Sequence, residues 1–275
     1  MKKLTTTICL TIAVLFGSGC AQNVAQTLLL QANGSQNAYN VINDKLANFN
    51  GNVIETPDCS HSDFGPHITQ VYDAFLKKQV FRFHIHRDQD TDRCVKFDRQ
   101  RTEIKVYDKS PDWLKATENS KFIYQWKFKI DKKFQSSKKF THFFQLKGVG
   151  LPYGMPLMTL TARKGASEDL NRFEIRHAAQ RKSNTIKVQK LQPFLGKWLQ
   201  VNVEVNFGNK GKLVIQITSM KDSNRLLHYE SNSIKMWKDY ADFIRPKWGI
   251  YRSLKYKDAL RDEAIYFADI VIRVN

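Results

Sequence analysis

The sequence predicts an all-β fold, on two observations. Strand-like segments recur at short intervals over residues 80–274, whereas helical signals are few. Within these segments apolar and polar residues alternate at period two, most regularly over 199–207, which gives one buried and one solvated face. About 225 residues of such strands, without a repeat of fixed period, suit one sandwich. We therefore predict a single-domain β jelly roll of two antiparallel sheets with a few short helices.

The expected strands follow one another closely along the chain. They cover residues 80–86, 101–107, 122–130, 140–147, 156–163, 172–177, 185–190, 198–207, 212–218, 245–251 and 264–274. The glycine-bearing loop 208–211 suits a hairpin, so the strands on either side of it should pair. Ser110 and Pro111 can begin a short helix that ends at Ala116. Residues 234–243 are a second helical candidate.

The amino terminus has the pattern of an export signal. Lys2 and Lys3 precede an apolar run over 8–16 and then a group of small residues. Two interpretations stay open: a signal peptide of residues 1–21, or a lipoprotein signal of residues 1–19 with lipid attached to Cys20. Either predicts a secreted, periplasmic or outer-membrane-anchored protein, with membrane contact only through the lipid, since no later stretch approaches the ~20 apolar residues of a membrane helix.

The mature chain should begin with a tether. Residues 22–50 are rich in Gln, Asn and Ala and predict a flexible arm, so that the folded domain would span 51–275. Cys59 and Cys94 are expected to pair in an oxidising compartment. That disulfide would tie the segment before the first strand to the loop preceding Arg101.

The charge of the chain predicts a polyanionic partner. Lysine and arginine number 44 against 26 acidic residues, a formal net charge of +18. Export favours an acidic polysaccharide over nucleic acid, and the aromatic residues fall at core positions instead of interleaving with exposed cations. We expect a monomer that binds no nucleic acid.

Two short segments present cationic groups on one face of a predicted strand. In 98–105, Arg99, Arg101, Glu103 and Lys105 share a face; Arg101 can grip a carboxylate in bidentate fashion, and Glu103 would orient the cations beside it. In 245–251 three residues share a face, namely Lys247, Gly249 and Tyr251. The glycine would leave room for a sugar, and the phenol beside cations should ionise more easily.

A third segment, 141–147, holds His142 and Gln145. The two have opposite parity, so both can face a cleft only if a bulge intervenes. Gln145 could neutralise a carboxylate, and His142 could act as a base near neutral pH. The stretch 82–86 offers His84 and His86 as rival histidines on one face.

Metal ligands are less evident. Two histidines at i and i+2 can bind a metal, but no third ligand with suitable spacing is visible, so we predict no metal site. Asp88, Asp90 and Asp92 begin like a calcium loop, yet Arg93 replaces its glycine and Arg99 its final glutamate. No cofactor is expected to be required, and a looser calcium site stays open.

These residue types suit eliminative cleavage of a uronate chain. The carboxylate beside C5 must be neutralised before a base removes the C5 proton, and an acid protonates the departing glycosidic oxygen. Arginine, glutamine, histidine, tyrosine and lysine fit these roles. A glycoside hydrolase would need two carboxylates across the bond, and the strand pattern Glu-x-Asp-x-x-Glu is absent.

In this order, the three segments resemble the jelly-roll polysaccharide lyases of the heparin lyase I and glucuronan lyase type, and more distantly the jelly-roll alginate lyases. Lys247 and Tyr251 match the lysine-x-glycine-isoleucine-tyrosine strand of that family. Arg101 and Glu103 match its arginine-x-glutamate strand. The similarity extends from about residue 81 to the last strand.

The resemblance implies roles for several residues. Gln145 would neutralise the uronate, a histidine would be the base, and Tyr251 would be the acid or serve as both. His142 and His86 both qualify as that histidine. The glutamine-isoleucine-histidine of alginate lyases is Gln145-Leu146-Lys147 here, which disfavours alginate.

We therefore expect a polysaccharide lyase that cleaves a uronic-acid-containing polysaccharide, glucuronan-like or related, by β-elimination. The alternative is a lectin-like binder of acidic glycans without catalysis. The catalytic candidates are His142 or His86, Tyr251, Gln145 and Arg101. The candidates for substrate binding are Arg99, Glu103, Lys105, Lys147, Arg163, Lys247, His84 and Arg252.

Overall fold

The computed structural model describes residues 25–274, which form two packed antiparallel sheets and confirm the jelly roll. The expected signal peptide and Cys20 lie outside the described residues. The strands are β1 (Gln26–Leu30), β2 (Ile54–Glu55), β3 (Ile68–Asp73), β4 (Lys78–Ile85), β5 (Arg99–Lys105), β6 (Lys121–Ile130), β7 (Thr141–Gly148), β8 (Met158–Arg163), β9 (Arg172–His177), β10 (Asn184–Lys190), β11 (Trp198–Asn206), β12 (Gly211–Ser219), β13 (Arg225–Ile234), β14 (Ile244–Ser253) and β15 (Glu263–Val274), with one α-helix, α1 (Ala38–Leu46).

The strands divide into an eight-stranded and a seven-stranded sheet. The first has the order β13-β12-β11-β6-β15-β4-β3, with β1 also paired to β15. The second has the order β10-β9-β8-β7-β14-β5-β2. Strands distant in sequence are therefore neighbours, and β14 lies between β7 and β5.

The core fills the space between the sheets with aliphatic and aromatic side chains. Trp126 of β6 lies across from Phe144 of β7, with ring centroids 4.5 Å apart, and Phe144 in turn contacts Trp248 of β14 at 5.5 Å. All three side chains are buried. Burial of each ring removes a large apolar area from water, which stabilises the sandwich and fixes β7 and β14 side by side.

Most strand predictions are confirmed, including the hairpin of β11 and β12. The strands β1, β2, β3 and β13 were not predicted. The helix expected over 234–243 is wrong, because β13 ends at Ile234 and irregular chain follows. The helix expected after Ser110 is a single 3-10 turn, Asp112–Leu114.

The flexible arm expected over 22–50 is wrong for residues 26–46. Strand β1 extends β15, with Leu28 and Leu30 buried at alternate positions. Helix α1 is capped by Asn37, whose side chain accepts from the Tyr39 N–H. Its apolar stripe, at helical spacing, consists of the buried residues Ala38, Val41, Ile42 and Leu46. This stripe packs into the main core, so the domain begins before residue 51.

The predicted disulfide is confirmed, since Cys59 and Cys94 are bonded. It joins the segment after β2 to the loop before β5. Within residues 25–274, no helix has the length and apolar character that a bilayer crossing requires.

Candidate active site on the seven-stranded sheet

Three adjacent strands bring the predicted segments together. In register, Tyr251 of β14 lies beside Arg101 of β5 on one side and His142 of β7 on the other. Four residues earlier on β14, Lys247 lies between Lys105 and Gln145 in the same manner. Because residues paired across antiparallel strands point to the same side, these side chains share the face turned away from the core. We call this surface the polar face.

A break in strand regularity places both His142 and Gln145 on the polar face. The pairing of β7 shifts register between His142 and Phe144, against β8 as well as against β14. Phe143 and Phe144 are consecutive residues, yet both are buried in the core. The irregularity that the sequence required is therefore present.

Glu103 lies at the centre of the polar face and is fully buried. It accepts hydrogen bonds from Arg101 Nη1 at 2.8 Å and from the Gln145 amide, and Lys247 Nζ lies 2.7 Å away. The expectation that Glu103 orients its neighbouring cations is consistent with this geometry. It also orients the amide of Gln145, which the sequence did not suggest.

Two further carboxylates complete the network, and the sequence analysis missed both as site residues. Glu55 of β2 is in ion-pair contact with Lys105, Arg101 and Lys247. Although burial by itself raises the pKa of Glu55, the attraction of Lys247, Arg101 and Lys105 holds it well below its usual range. Asp92, from the loop before β5, accepts from Arg101 Nε at 2.9 Å and Nη2 at 3.1 Å.

These contacts change the interpretation of Arg101. Four of its five N–H groups are already donated, to Glu55, Glu103 and Asp92. The expected bidentate grip on a substrate carboxylate therefore does not fit, because the guanidinium is buried and retains one free N–H within the described part of the chain, whereas a bidentate grip needs two. Its plane instead covers the ring of Tyr251, with Cζ 3.9 Å from the ring centroid.

Tyr251 is half-buried, and its hydroxyl accepts a hydrogen bond of 3.0 Å from Arg99 Nη1. Burial raises the pKa of the phenol, while Arg101 and Arg99 lower it and offset part of that rise. The expected easier ionisation is therefore wrong for the protein without ligand, because desolvation outweighs both cations. The phenol is a protonated donor at neutral pH.

His142 lies beside Tyr251, with ring centroids 6.0 Å apart. Its Nδ1 is 2.8 Å from Thr161 Oγ1, and its ring stacks on Phe140 at 4.7 Å. Burial, reinforced by Arg163 and Arg176, lowers the pKa of His142 well below its usual value. The imidazole is therefore neutral, and when Nδ1 donates to Thr161 the lone pair is on Nε2.

The remaining predicted cations line the rest of the polar face. Lys105 is paired with Glu55 at 2.9 Å, and burial lowers its pKa to about 8. Burial and the neighbouring Lys247 also lower the pKa of Lys147 to about 8. Arg163 Nε lies 3.5 Å from Glu174. With Arg176, it lines a small pocket next to His142.

Three predicted site residues lie elsewhere. His84 and His86 belong to β4 and its end, in the eight-stranded sheet, where His84 Nε2 lies 3.1 Å from Thr69 Oγ1. Arg252 has core parity on β14 and is fully buried; its Nε donates to Gln100 at 2.8 Å. None of the three lies on the polar face, so the predictions of His86 as a catalytic residue and of His84 and Arg252 as substrate-binding residues do not fit that site; sequence patterns alone do not reveal which sheet or which side a strand presents.

The structure gives a different reason for the glycine at position 249 than the sequence analysis expected. Its φ is +144°, and a Cβ there would lie 2.1 Å from the carbonyl oxygen of Thr102 on β5. The glycine therefore permits close approach of two backbones instead of leaving room for a sugar.

Chemically, the polar face combines a neutral imidazole, a protonated phenol, an oriented amide and partly unpaired cations within one cluster. It can neutralise an anionic group, accept a proton and donate a proton. A group of histidine and aspartate side chains close enough together to share a metal ion lies instead near the end of β4.

Comparison with known proteins supports the fold. No sequence profile of a known protein family matches the chain, and no curated protein is significantly similar to it. The chain is similar to the crystal structure of an endo-β-1,4-glucuronan lyase from the fungus Trichoderma reesei, with a TM-score of 0.56, 12% identity, and coverage of 82% of this chain and 92% of that one.

Two other solved structures give similar results. A marine alginate lyase from Aplysia kurodai matches with a TM-score of 0.56 at 14% identity, over 90% of this chain and 97% of that one. Alginate lyase Aly36B matches with a TM-score of 0.53 at 12% identity, over 90% and 96%. At such identities the similarity establishes architecture alone: this chain has the jelly-roll fold of polysaccharide lyases that act on uronic-acid polymers.

Proposed function

We propose that this protein is a polysaccharide lyase that cleaves a uronic-acid-containing polysaccharide by β-elimination. One observation carries the proposal: a neutral histidine and a protonated tyrosine, His142 and Tyr251, lie side by side at paired positions of a cation-rich face. A uronan is a polyanion, which suits this face and the charge of +18. Export, as expected from the amino terminus, would bring the protein to such polymers.

Gln145 and Lys147 neutralise the carboxylate of the bound uronate. The Gln145 amide has two hydrogens, of which one is donated to Glu103. The second is available for a uronate oxygen. A neutralised carboxylate makes the C5 proton more acidic because the negative charge that develops on proton removal can spread onto the carboxyl group.

His142 then takes the C5 proton on Nε2, and Tyr251 gives its phenolic proton to the glycosidic oxygen. The C5–H bond and the C4–O bond break, a C4–C5 double bond forms, and the leaving chain departs as an alcohol. Arg99, which donates to the Tyr251 hydroxyl, stabilises the phenolate that results. Proton return from His142 to Tyr251 through solvent resets the site.

The proposed substrate class depends on which side of the bound sugar chain His142 and Tyr251 approach. His142 and Tyr251 rise from one sheet and would approach a bound chain from the same side. In glucuronate and mannuronate the C5 proton and the C4 oxygen are on the same side, whereas iduronate and guluronate need groups on both sides. We therefore propose a glucuronan-like substrate; a mannuronate-rich alginate satisfies the same stereochemistry but is disfavoured by Lys147, which replaces the histidine of the alginate lyases.

The test is incubation with a panel of glucuronan, polymannuronate, polyguluronate and heparin, read by the ultraviolet absorbance of unsaturated products. Tyr251→Phe removes the proton donor and keeps the ring beneath Arg101, so activity should fall by about 100-fold or more. Tyr240→Phe, at a fully exposed tyrosine, is the matched control and should retain wild-type activity.

The lectin-like alternative makes the opposite prediction. A binding protein would retain glycan affinity in Tyr251→Phe and would give no unsaturated ends with any member of the panel. Absence of product from all four polymers, with measurable binding to one of them, would replace the lyase by that alternative.

A further inference from the structure

Three histidines and an aspartate converge near the end of β4. The nitrogen Nδ1 of His61 and Nε2 of His67 lie 3.0 and 3.1 Å from Asp90 Oδ1, and His86 Nδ1 lies 3.3 Å from Asp90 Oδ2. The four candidate ligand atoms lie within 4.8 Å of one another. Ligand atoms around a tetrahedral zinc ion at about 2.0–2.1 Å are roughly 3.3 Å apart, so only small adjustments separate this cluster from a metal site.

The surroundings hold the ligands in place. His67 Nδ1 lies 2.7 Å from Asp58 Oδ1, so that Nδ1–H can donate to the carboxylate and the Nε2 lone pair faces the other three groups. A carboxylate behind a histidine is the usual outer partner of a metal ligand. His86 Nδ1 is buried and has no hydrogen-bond partner among the described residues.

The chain is also fixed covalently around the cluster. The Cys59–Cys94 disulfide links the segment that carries His61 to the loop that carries Asp90. Gln100 supports the same loop, because its amide donates to the carbonyl groups of His86 and Asp90 at 2.6 and 2.9 Å. The cluster therefore does not depend on a mobile loop.

We propose that His61, His67, His86 and Asp90 bind one zinc ion in a structural site. Three imidazole nitrogens and one carboxylate oxygen suit zinc, whereas calcium prefers oxygen ligands only. Four protein ligands leave no open position, as in structural and not catalytic sites. Phe64 packs over the rings of His86 and His67, at 4.2 and 4.9 Å, and restricts solvent access.

The site would also support the polar face. Asp90 and Asp92 belong to one short loop, and Asp92 holds Arg101, which in turn covers Tyr251. A metal at Asp90 would fix the loop two residues from the carboxylate that holds Arg101. The sequence concealed this arrangement, because two of the ligands come from a loop about 20 residues before His86.

The experiment measures metal content in the full mature chain, freed of any affinity tag. Protein exposed to zinc and then dialysed should retain one zinc per chain by elemental analysis. Cobalt in place of zinc should give the visible absorption of a tetrahedral site. Chelator should lower the Tm of the wild type. Retention of no stoichiometric zinc, or a cobalt spectrum without tetrahedral bands, would overturn the proposal.

The second part of the experiment compares the zinc content of variants. His61→Gln should abolish zinc retention and the effect of chelator on Tm, while Asp58→Asn should weaken zinc affinity by about 10–100-fold. His84→Gln is the matched control, since His84 stacks beside His86 but is not among the four ligands, and should retain one zinc. Equal retention in His61→Gln and wild type would contradict the assignment; if that variant does not fold, the wild-type stoichiometry and spectrum decide.

Discussion

Strands β5 and β11 both place polar or charged side chains at every second, outward position, yet these side chains have opposite surroundings in the fold. On β11 the outward residues Gln200, Asn202 and Glu204 are partly exposed, and the inward residues are buried. On β5 the outward residues Arg101, Glu103 and Lys105 are as buried as the inward ones. Alternation thus predicts which side a residue takes, but not whether that side meets water.

The difference has an energetic consequence. The one charged residue of β11, Glu204, remains partly solvated and contributes little to stability, as is general for exposed groups. Charges on β5 have lost their hydration, and only their mutual pairing with Glu55 and Asp92 offsets that loss. Removal of any single member of a network of paired buried charges should therefore be costly. Four predictions test the comparison between the polar face and the more exposed strands.

The largest effect is expected from Glu103→Gln. Removal of this carboxylate leaves Arg101 and Lys247 buried with one partner fewer, which should lower the free energy of unfolding by about 3–5 kcal/mol. Glu204→Gln on β11 is the matched control; its carboxylate accepts from Asn202 alone among the side chains of residues 25–274 and is partly exposed, so a loss under ~0.5 kcal/mol is expected. Chemical denaturation measures both, and equal losses would remove the distinction between the two strands.

Gly249→Ala should rank second. Gly249 on β14 and Gly208 beside β12 have similar φ values, +144° and +151°, but different space. A Cβ at Gly249 would meet the Thr102 carbonyl oxygen at 2.1 Å, whereas at Gly208 the nearest atom is 3.5 Å away. Gly249→Ala should therefore cost about 1–3 kcal/mol more than Gly208→Ala in the same denaturation assay. Similar costs would mean that β14 and β5 can move apart to accommodate the added Cβ without a loss of stability.

Acid should weaken the polar face in particular. The folded-state pKa of Glu55 is lowered, so its contribution is complete above the unfolded pKa, about 4.3, and is lost as pH falls toward the folded value. The free energy of unfolding should therefore decline below about pH 4.3, and Glu55→Gln should decline less steeply over the same interval. An unchanged slope in that variant would exclude Glu55 as a source of the acid sensitivity.

The smallest effect concerns Lys147 and depends on the proposed lyase activity. Its pKa of about 8 means that the free enzyme loses this positive charge as pH rises through 8. Loss of this charge should weaken uronate binding, so kcat/KM should fall by about three- to tenfold, equivalent to roughly 1 kcal/mol. Lys147→Met should lack this decline, while Lys212→Met on β12 should retain it; a decline that persists in Lys147→Met would assign it to another group.

The sequence predicted the strands that alternate strongly and missed those that do not. Strand β13 is largely exposed, and with Leu227 as its one buried residue it shows no buried period. Strand β1 is short and depends on β15 for its partner. In both cases the strand forms because it pairs with a neighbouring strand, and its own sequence has no clear strand pattern.

The candidate site was recovered in part. Parity and the family resemblance placed Arg101, Gln145, Lys247 and Tyr251 on one face, and the structure brings them together. Glu55 lies 46 residues before Arg101, and nothing in the sequence around it indicates the contact. The choice between His142 and His86 was equally beyond the sequence, because both histidines fall within predicted strands of suitable pattern, 140–147 and 80–86.

The sequence by itself determined the two faces of most strands, since side chains alternate on any extended backbone regardless of what surrounds it. It also determined the excess of positive charge and the cysteines available for a bridge. Only the tertiary structure decided which strands became neighbours, which charges lost contact with water, and hence that His142 is neutral and Tyr251 protonated. Desolvation and ion pairing depend on groups that are distant along the chain, so they exist only once the sheets have assembled.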